Sequence, residues 1–115
     1  MTRQEWQVIQ ELREIKRVLT TVKGGFGFSR KDLFNVLGVH RPRKLTGKDL
    51  FSKRAYDLIE LYTRISSFFV NKKDIILWLN TPSIDMELRT PKELLLDRED
   101  YLPFLLEYVS RMMNP

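Results

Sequence analysis

The chain has 115 residues, 43% of them hydrophobic and 30% charged, which suits one domain with one modest core. It contains no cysteine, which excludes a disulfide scaffold and a thiolate metal site and fits a reducing, cytoplasmic setting. No apolar run approaches the roughly 20 residues of a membrane span, so no membrane partner is expected, and the charged stretch at 2–14 is no signal peptide. The net charge of +5 is unevenly divided. Residues 1–73 hold 16 Lys/Arg against 7 Asp/Glu, net +9, whereas residues 74–115 hold 4 against 8, net −4. Such asymmetry points to an anionic partner for the basic stretch and a different partner for the acidic one.

Residues 2–22 read as a helix. Thr2 and Glu5 have capping-box spacing, and Val8, Ile9, Leu12, Ile15, Leu19 and Val22 recur at three- and four-residue steps. Lys23-Gly24-Gly25-Phe26-Gly27 is expected to stop it, because glycine disfavours helix and permits positive φ. These glycines lack the Lys-Ser/Thr of a phosphate-binding loop and any preceding strand.

A short helix is expected over 29–37, capped by Ser29 with Asp32 at N3 and followed by Gly38 as C′ residue. A second is expected over 41–46, with Pro42 in its first turn and Thr46-Gly47 ending it. A helix, a Gly-containing turn and a second helix rich in Arg and Lys give a helix-turn-helix-like pattern. On that pattern Ser29, Arg30, Arg41, Arg43, Lys44 and Lys48 are the candidate DNA-binding residues.

The long helix of the later chain is expected over 52–69, with Ala55, Leu58, Ile59, Tyr62, Ile65 and Phe69 as its buried stripe. Asn71 caps a helix over 72–79. Trp78-Leu79-x-Thr81-Pro82 ends that helix, since proline lacks an N–H and is poorly tolerated in a helix interior. Nine residues after Pro82, Thr90-Pro91-x-Glu93-Leu94-Leu95 opens the next, with Thr90 as N-cap, Pro91 at N1 and Glu93 at N3. A last helix is expected to start at Asp97, with Asp100 at N3 and Leu102, Leu105, Leu106, Val109 and Met112 on its apolar side. The fold class is therefore all-α, a compact bundle of about six or seven helices with a helix-turn-helix-like N-terminal half. Residues 1–70 are expected to form a basic, helix-turn-helix-like DNA-binding region, and residues 71–115 an acidic binding region.

Enzyme chemistry is not expected. The one histidine, His40, sits beside Arg41 and Arg43 and reads as a phosphate contact or turn residue. Asp97, Glu99 and Asp100 look like a helix N-terminus, where the dipole favours negative charge, and no metal-ligand spacing is present. No cofactor is expected.

The W-L-x-T-P and T-P-x-E-L-L blocks at this spacing resemble the C-terminal domain of the Xre-MbcA-ParS family of bacterial antitoxins. The resemblance is best over 72–112 and extends more weakly back to Ser29, through Gly38-Val39 and the helix beginning near Ser52. It implies a type II antitoxin that binds a RES-domain, NAD⁺-degrading toxin and covers its active-site entrance. It also implies a homodimer that binds operator DNA and represses its own operon. Trp78, Leu79, Thr81, Pro82, Thr90, Pro91, Leu94 and Leu95 match the family motif and are read mostly as packing. The loop and last helix would form the toxin-facing surface, with Ser83, Asp85, Glu87, Arg89, Tyr108, Arg111 and Met112 as candidate contacts.

Four departures from the family stand out, one being that the segment between Ser52 and Trp78 is about two residues shorter than in relatives. Pro42 falls within the presumed recognition helix. Met86-Glu87-Leu88 replaces a Leu-Gly-Gly, and Glu87 and Leu88 are expected to avoid the conformations glycines allow. Pro115 stands where relatives carry a glycine. Two other readings follow from the residues alone: a helix-turn-helix regulator without a toxin, and a protein-binding module that does not bind DNA.

Overall fold

The computed structural model describes residues 1–39 and 43–114. Among these residues, seven α-helices run in the order α1 (Arg3–Phe26), α2 (Arg30–Val36), α3 (Gly47–Leu50), α4 (Lys53–Phe68), α5 (Lys72–Leu79), α6 (Pro91–Leu96) and α7 (Leu102–Met113). A 3₁₀ turn, Ile84–Met86, lies between α5 and α6. The expected all-α bundle is therefore what the chain forms. One hydrophobic core joins the basic and acidic stretches, from Leu19 of α1 through Leu58 and Leu61 of α4 to Leu105 and Val109 of α7. The charge boundary is thus not a boundary between folding units. Among the described residues, no helix is long and apolar enough to cross a membrane.

Caps fix most of the boundaries. Thr2 accepts from the Glu5 N–H at 3.1 Å, and Ser29 and Asp32 exchange reciprocal bonds of 3.0 Å. The first helix, however, runs past its expected end at residue 22 to Phe26. Gly24 and Gly25 lie inside it. Gly27 ends it in the left-handed conformation (φ 67°), with its N–H on the Gly24 carbonyl and that of Phe28 on the Lys23 carbonyl. Gly38 (φ 79°) ends α2 the same way, the Val39 N–H bonding to the Phe34 carbonyl at 2.9 Å. The two ends match because only the glycine after each helix meets a positive φ. Gly25 serves packing instead: it is where the Tyr62 ring crosses α1.

The helix expected over 41–46 is corrected. His40, Arg41 and Pro42 lie outside the described residues, and residues 43–46 are not helical. Thr46 begins α3 rather than ending a helix. Its hydroxyl accepts from the Asp49 N–H, and the Asp49 carboxylate accepts from the Thr46 N–H at 2.8 Å. The same carboxylate takes two bonds from Arg43, at 2.6 and 3.0 Å. A carboxylate able to cap one residue and clamp another sets the helix start after Thr46.

Helix α4 starts after Ser52, whose hydroxyl accepts from Ala55 at 3.2 Å. Its fully buried residues are Ala55, Leu58, Leu61 and Ile65, so Leu61 belongs to the stripe while Ile59, Tyr62 and Phe69 are half-buried. The last helix begins at Leu102, not next to Asp97. Asp97 closes α6 in an extended conformation, and its carboxylate is occupied by the Glu99 N–H at 3.0 Å and the Arg89 guanidinium at 2.9 Å. Pro103 falls in the first turn of α7, where a missing N–H costs nothing.

Candidate protein-binding site

The segment between the two Thr-Pro pairs forms a closed loop. At its entrance, the Thr81 hydroxyl donates to the Leu77 carbonyl at 2.5 Å, terminating α5. Ser83 and Arg89 pair as an antiparallel bridge, the Ser83 N–H reaching the Arg89 carbonyl at 3.1 Å and the Leu88 N–H the Ser83 carbonyl at 2.8 Å. Met86 anchors the loop inward, buried to 4% exposure. Thr90 and Glu93 then cap α6 reciprocally.

Closing this loop forces two consecutive non-glycine residues into the left-handed region, Glu87 at φ 56° and Leu88 at φ 65°. The expectation that they avoid glycine-type conformations is thus overturned: the bridge and the buried Met86 impose them. Each residue so placed costs about 1–2 kcal/mol. The strained turn holds Leu88 70% exposed and leaves Ile84 86% exposed.

Beside the loop lies a cleft of 310 Å³, lined by Asp85, Met86, Glu87, Arg89, Leu94, Tyr101 and Phe104. Arg89 forms one wall. It is held by Asp97 at 2.9 Å, and its guanidinium carbon stands 5.8 Å from the centre of the Tyr101 ring. The Glu99 N–H and Arg89 together keep the Asp97 carboxyl below the ordinary carboxylate range, while the Tyr101 phenol is pushed up by the hydrogen bond to Glu99. Phe104, 41% exposed, stacks on Tyr108 at 6.3 Å between ring centres. The cleft thus joins two acidic side chains to an aromatic shelf, next to two exposed aliphatic residues. That combination suits docking of a protein surface.

Of the predicted contacts, Asp85, Glu87 and Arg89 line the cleft. Ser83 holds the loop shut, and Tyr108 supports Phe104. Arg111 pairs with Glu107 at 2.6 Å, and it and the half-buried Met112 lie about 10 Å further along α7 than Phe104. Four predicted motif residues are core: Leu79, Pro91, Leu94 and Leu95. Trp78 is half-buried, Thr81 and Pro82 are exposed, and Thr90 is the cap of α6. Sequence reading missed Ile84, Leu88, Tyr101 and Phe104. The available signal was an isoleucine and a leucine in the loop between the two Thr-Pro pairs.

The basic candidates are dispersed. Ser29 caps α2, and Arg30 lies over the Phe34 ring at 5.1 Å. Arg43 is clamped by Asp49, Lys44 is exposed in the link, Lys48 is exposed on α3, and Arg41 lies outside the described residues. No group of three or more metal-ligating side chains occurs among the described residues. Comparison with known proteins finds no matching family model, no matching curated protein and no matching solved structure.

Proposed function

We propose that this protein is an antitoxin that binds a RES-domain, NAD⁺-degrading toxin and covers its active-site entrance, and that as a homodimer it represses its own operon. The observation that carries the reading is the strained loop. Backbone strain of this kind is retained when the resulting surface is used, and here the surface is Ile84 and Leu88 beside the Asp85–Glu87 cleft. The motif resemblance supplies the partner class. Acidic residues at the cleft complement a basic, phosphate-binding pocket mouth.

The test is capture of partners by the tagged chain from its native host at moderate salt. The expected partner is one stoichiometric protein that consumes NAD⁺ once released. Ile84→Asp with Leu88→Asp should abolish its capture without unfolding the chain, since both side chains are exposed. Retained capture by that variant overturns the assigned surface.

A second reading, a transcriptional regulator without a toxin, is favoured by the +9 charge of residues 1–73 and by exposed Lys44 and Lys48. Phosphate contacts would come from these lysines and Arg30 rather than from one recognition helix. Under this reading the capture yields the chain's own upstream DNA, released steeply by salt, and no protein.

A further inference from the structure

The cleft beside the loop carries charge that the fold leaves unmatched. Its one cation, Arg89, is paired with Asp97 at 2.9 Å, whereas its two acids, Asp85 and Glu87, join no ion pair among the described residues. The cleft also offers an aromatic surface. Arg89 covers the Tyr101 ring, but Phe104, backed by Tyr108, stays 41% exposed. Along the loop Ile84 precedes Asp85 and Leu88 follows Glu87, both strongly exposed. These two side chains lie outside the cleft lining, so the acids are flanked by apolar surface that nothing inside the cleft would cover.

We infer that the cleft receives one arginine side chain, presented by an otherwise apolar segment of a protein partner. The two unmatched carboxylates select a cation and repel an acidic segment. A guanidinium is planar and weakly hydrated, so it can lie on the Phe104 ring while its N–H groups donate to the carboxylates. A lysine ammonium holds its water more tightly and cannot stack in this way. The molecule already makes the same pairing once, with Arg89 set between the Asp97 carboxylate and the Tyr101 ring. A volume of 310 Å³ is at the small end of the roughly 300–1,000 Å³ of ligand sites, room for a side chain and not for a folded element. A metal ion is a poor fit, since no group of three or more metal-ligating side chains occurs among the described residues. A free organic cation would leave Ile84 and Leu88 exposed, whereas apolar residues on either side of a partner's arginine would bury them. The inference rests on the reading of this face as a protein-docking surface and adds the chemistry of what docks; it needs neither the toxin nor the DNA part of the proposed function.

Titration of the isotope-labelled full chain with an end-capped Leu-Arg-Leu peptide, followed by NMR, tests it. Saturable shifts at the amides of residues 85–89 and at the Phe104 ring are expected, with a Kd of about 1 mM. No saturable shift there overturns the inference. The same peptide with citrulline in place of arginine keeps the planar shape and loses the charge; it should bind roughly tenfold more weakly, and equal binding overturns the cation. Free arginine should bind more weakly than the peptide for want of the flanking contacts; equal binding overturns the protein segment in favour of a small cation. Asp85→Asn, Glu87→Gln and Phe104→Leu should each weaken peptide binding by about two- to fivefold. All three side chains are exposed, so these variants should fold, and binding indifferent to all three overturns the site. Peptide binding by a chain that captures no NAD⁺-consuming protein from its host supports this inference and overturns the antitoxin reading. Capture of such a protein without peptide binding overturns this inference alone.

Discussion

Tyr62 of α4 lies so close to Gly25 of α1 that a Cβ at residue 25 would meet its ring carbons and hydroxyl at 2.3–2.5 Å. The ring is fixed there by edge-on packing against Phe26, with centres 5.1 Å apart. Gly24, next to it in the same helix, has nothing within 4 Å of its would-be Cβ. The two glycines should therefore respond oppositely to alanine. Gly24→Ala should stabilise the fold by about 0.5–1 kcal/mol, the helix-propensity and unfolded-state gain. Gly25→Ala gains the same propensity but displaces Tyr62, and should destabilise by about 1–2 kcal/mol net. Urea denaturation of both variants decides it. Equal stabilisation by the two would mean Tyr62 moves aside freely.

These glycines also mark what was legible in the sequence. Hydrophobic periodicity and caps are local, and they placed α2, α4, α5 and α6 to within a residue or so. A glycine that admits a neighbouring ring is indistinguishable in sequence from one that ends a helix, so α1 was expected to stop early. Thr46 and Asp49 have capping-box spacing, but Gly47 between them also reads as a helix stop, and the sequence does not decide between the two. At Asp97 the carboxylate is shared between the Glu99 N–H and Arg89, eight residues back, and that second bond is not a local signal. In the candidate site, Asp85, Glu87 and Arg89 were legible from their place between two Thr-Pro pairs. The outward Ile84 and Leu88 were not, because their exposure follows from a bridge between Ser83 and Arg89.

The strain at Glu87 and Leu88 should be measurable. Glycine removes the Cβ clash of the left-handed conformation, about 1–2 kcal/mol, but loses up to about 1 kcal/mol through the freer unfolded chain. Glu87→Gly should accordingly stabilise the protein by about 0.5–1 kcal/mol, whereas Glu87→Ala should not. Chemical denaturation distinguishes them. If alanine matches glycine, the gain comes from the lost charge rather than from backbone relief.

Arg64 ties α4 to α7. Its guanidinium donates to the Leu106 carbonyl at 3.1 Å and to the Ser110 hydroxyl at 2.5 Å, while its Nε pairs with Glu60 at 2.9 Å. Arg64→Met keeps the apolar stem and loses the donors. The Leu106 carbonyl still accepts from the Ser110 hydroxyl at 2.9 Å, so no acceptor is orphaned. The cost should then be that of the bonds alone, about 1–2 kcal/mol. Thermal unfolding checks this, and a change within error of zero would show that helix packing alone sets the α4–α7 contact.

Acid stability should depend on Asp49. Two bonds from Arg43, then the Thr46 N–H, hold its carboxyl well below the ordinary value of 3.8. A carboxyl depressed by folding contributes stability that is complete above the unfolded value, and that contribution is lost as pH falls through the folded one. The wild type should therefore lose stability as pH drops below about 4, where the unfolded chain takes up a proton and the folded Asp49 resists it. Asp49→Asn lacks this linkage. It should be less stable than the wild type at neutral pH, and the gap should narrow as the solution is acidified. Denaturant unfolding of both proteins across the acid range measures the gap. A gap independent of pH would show that Asp49 acts through hydrogen-bond geometry and not through its charge.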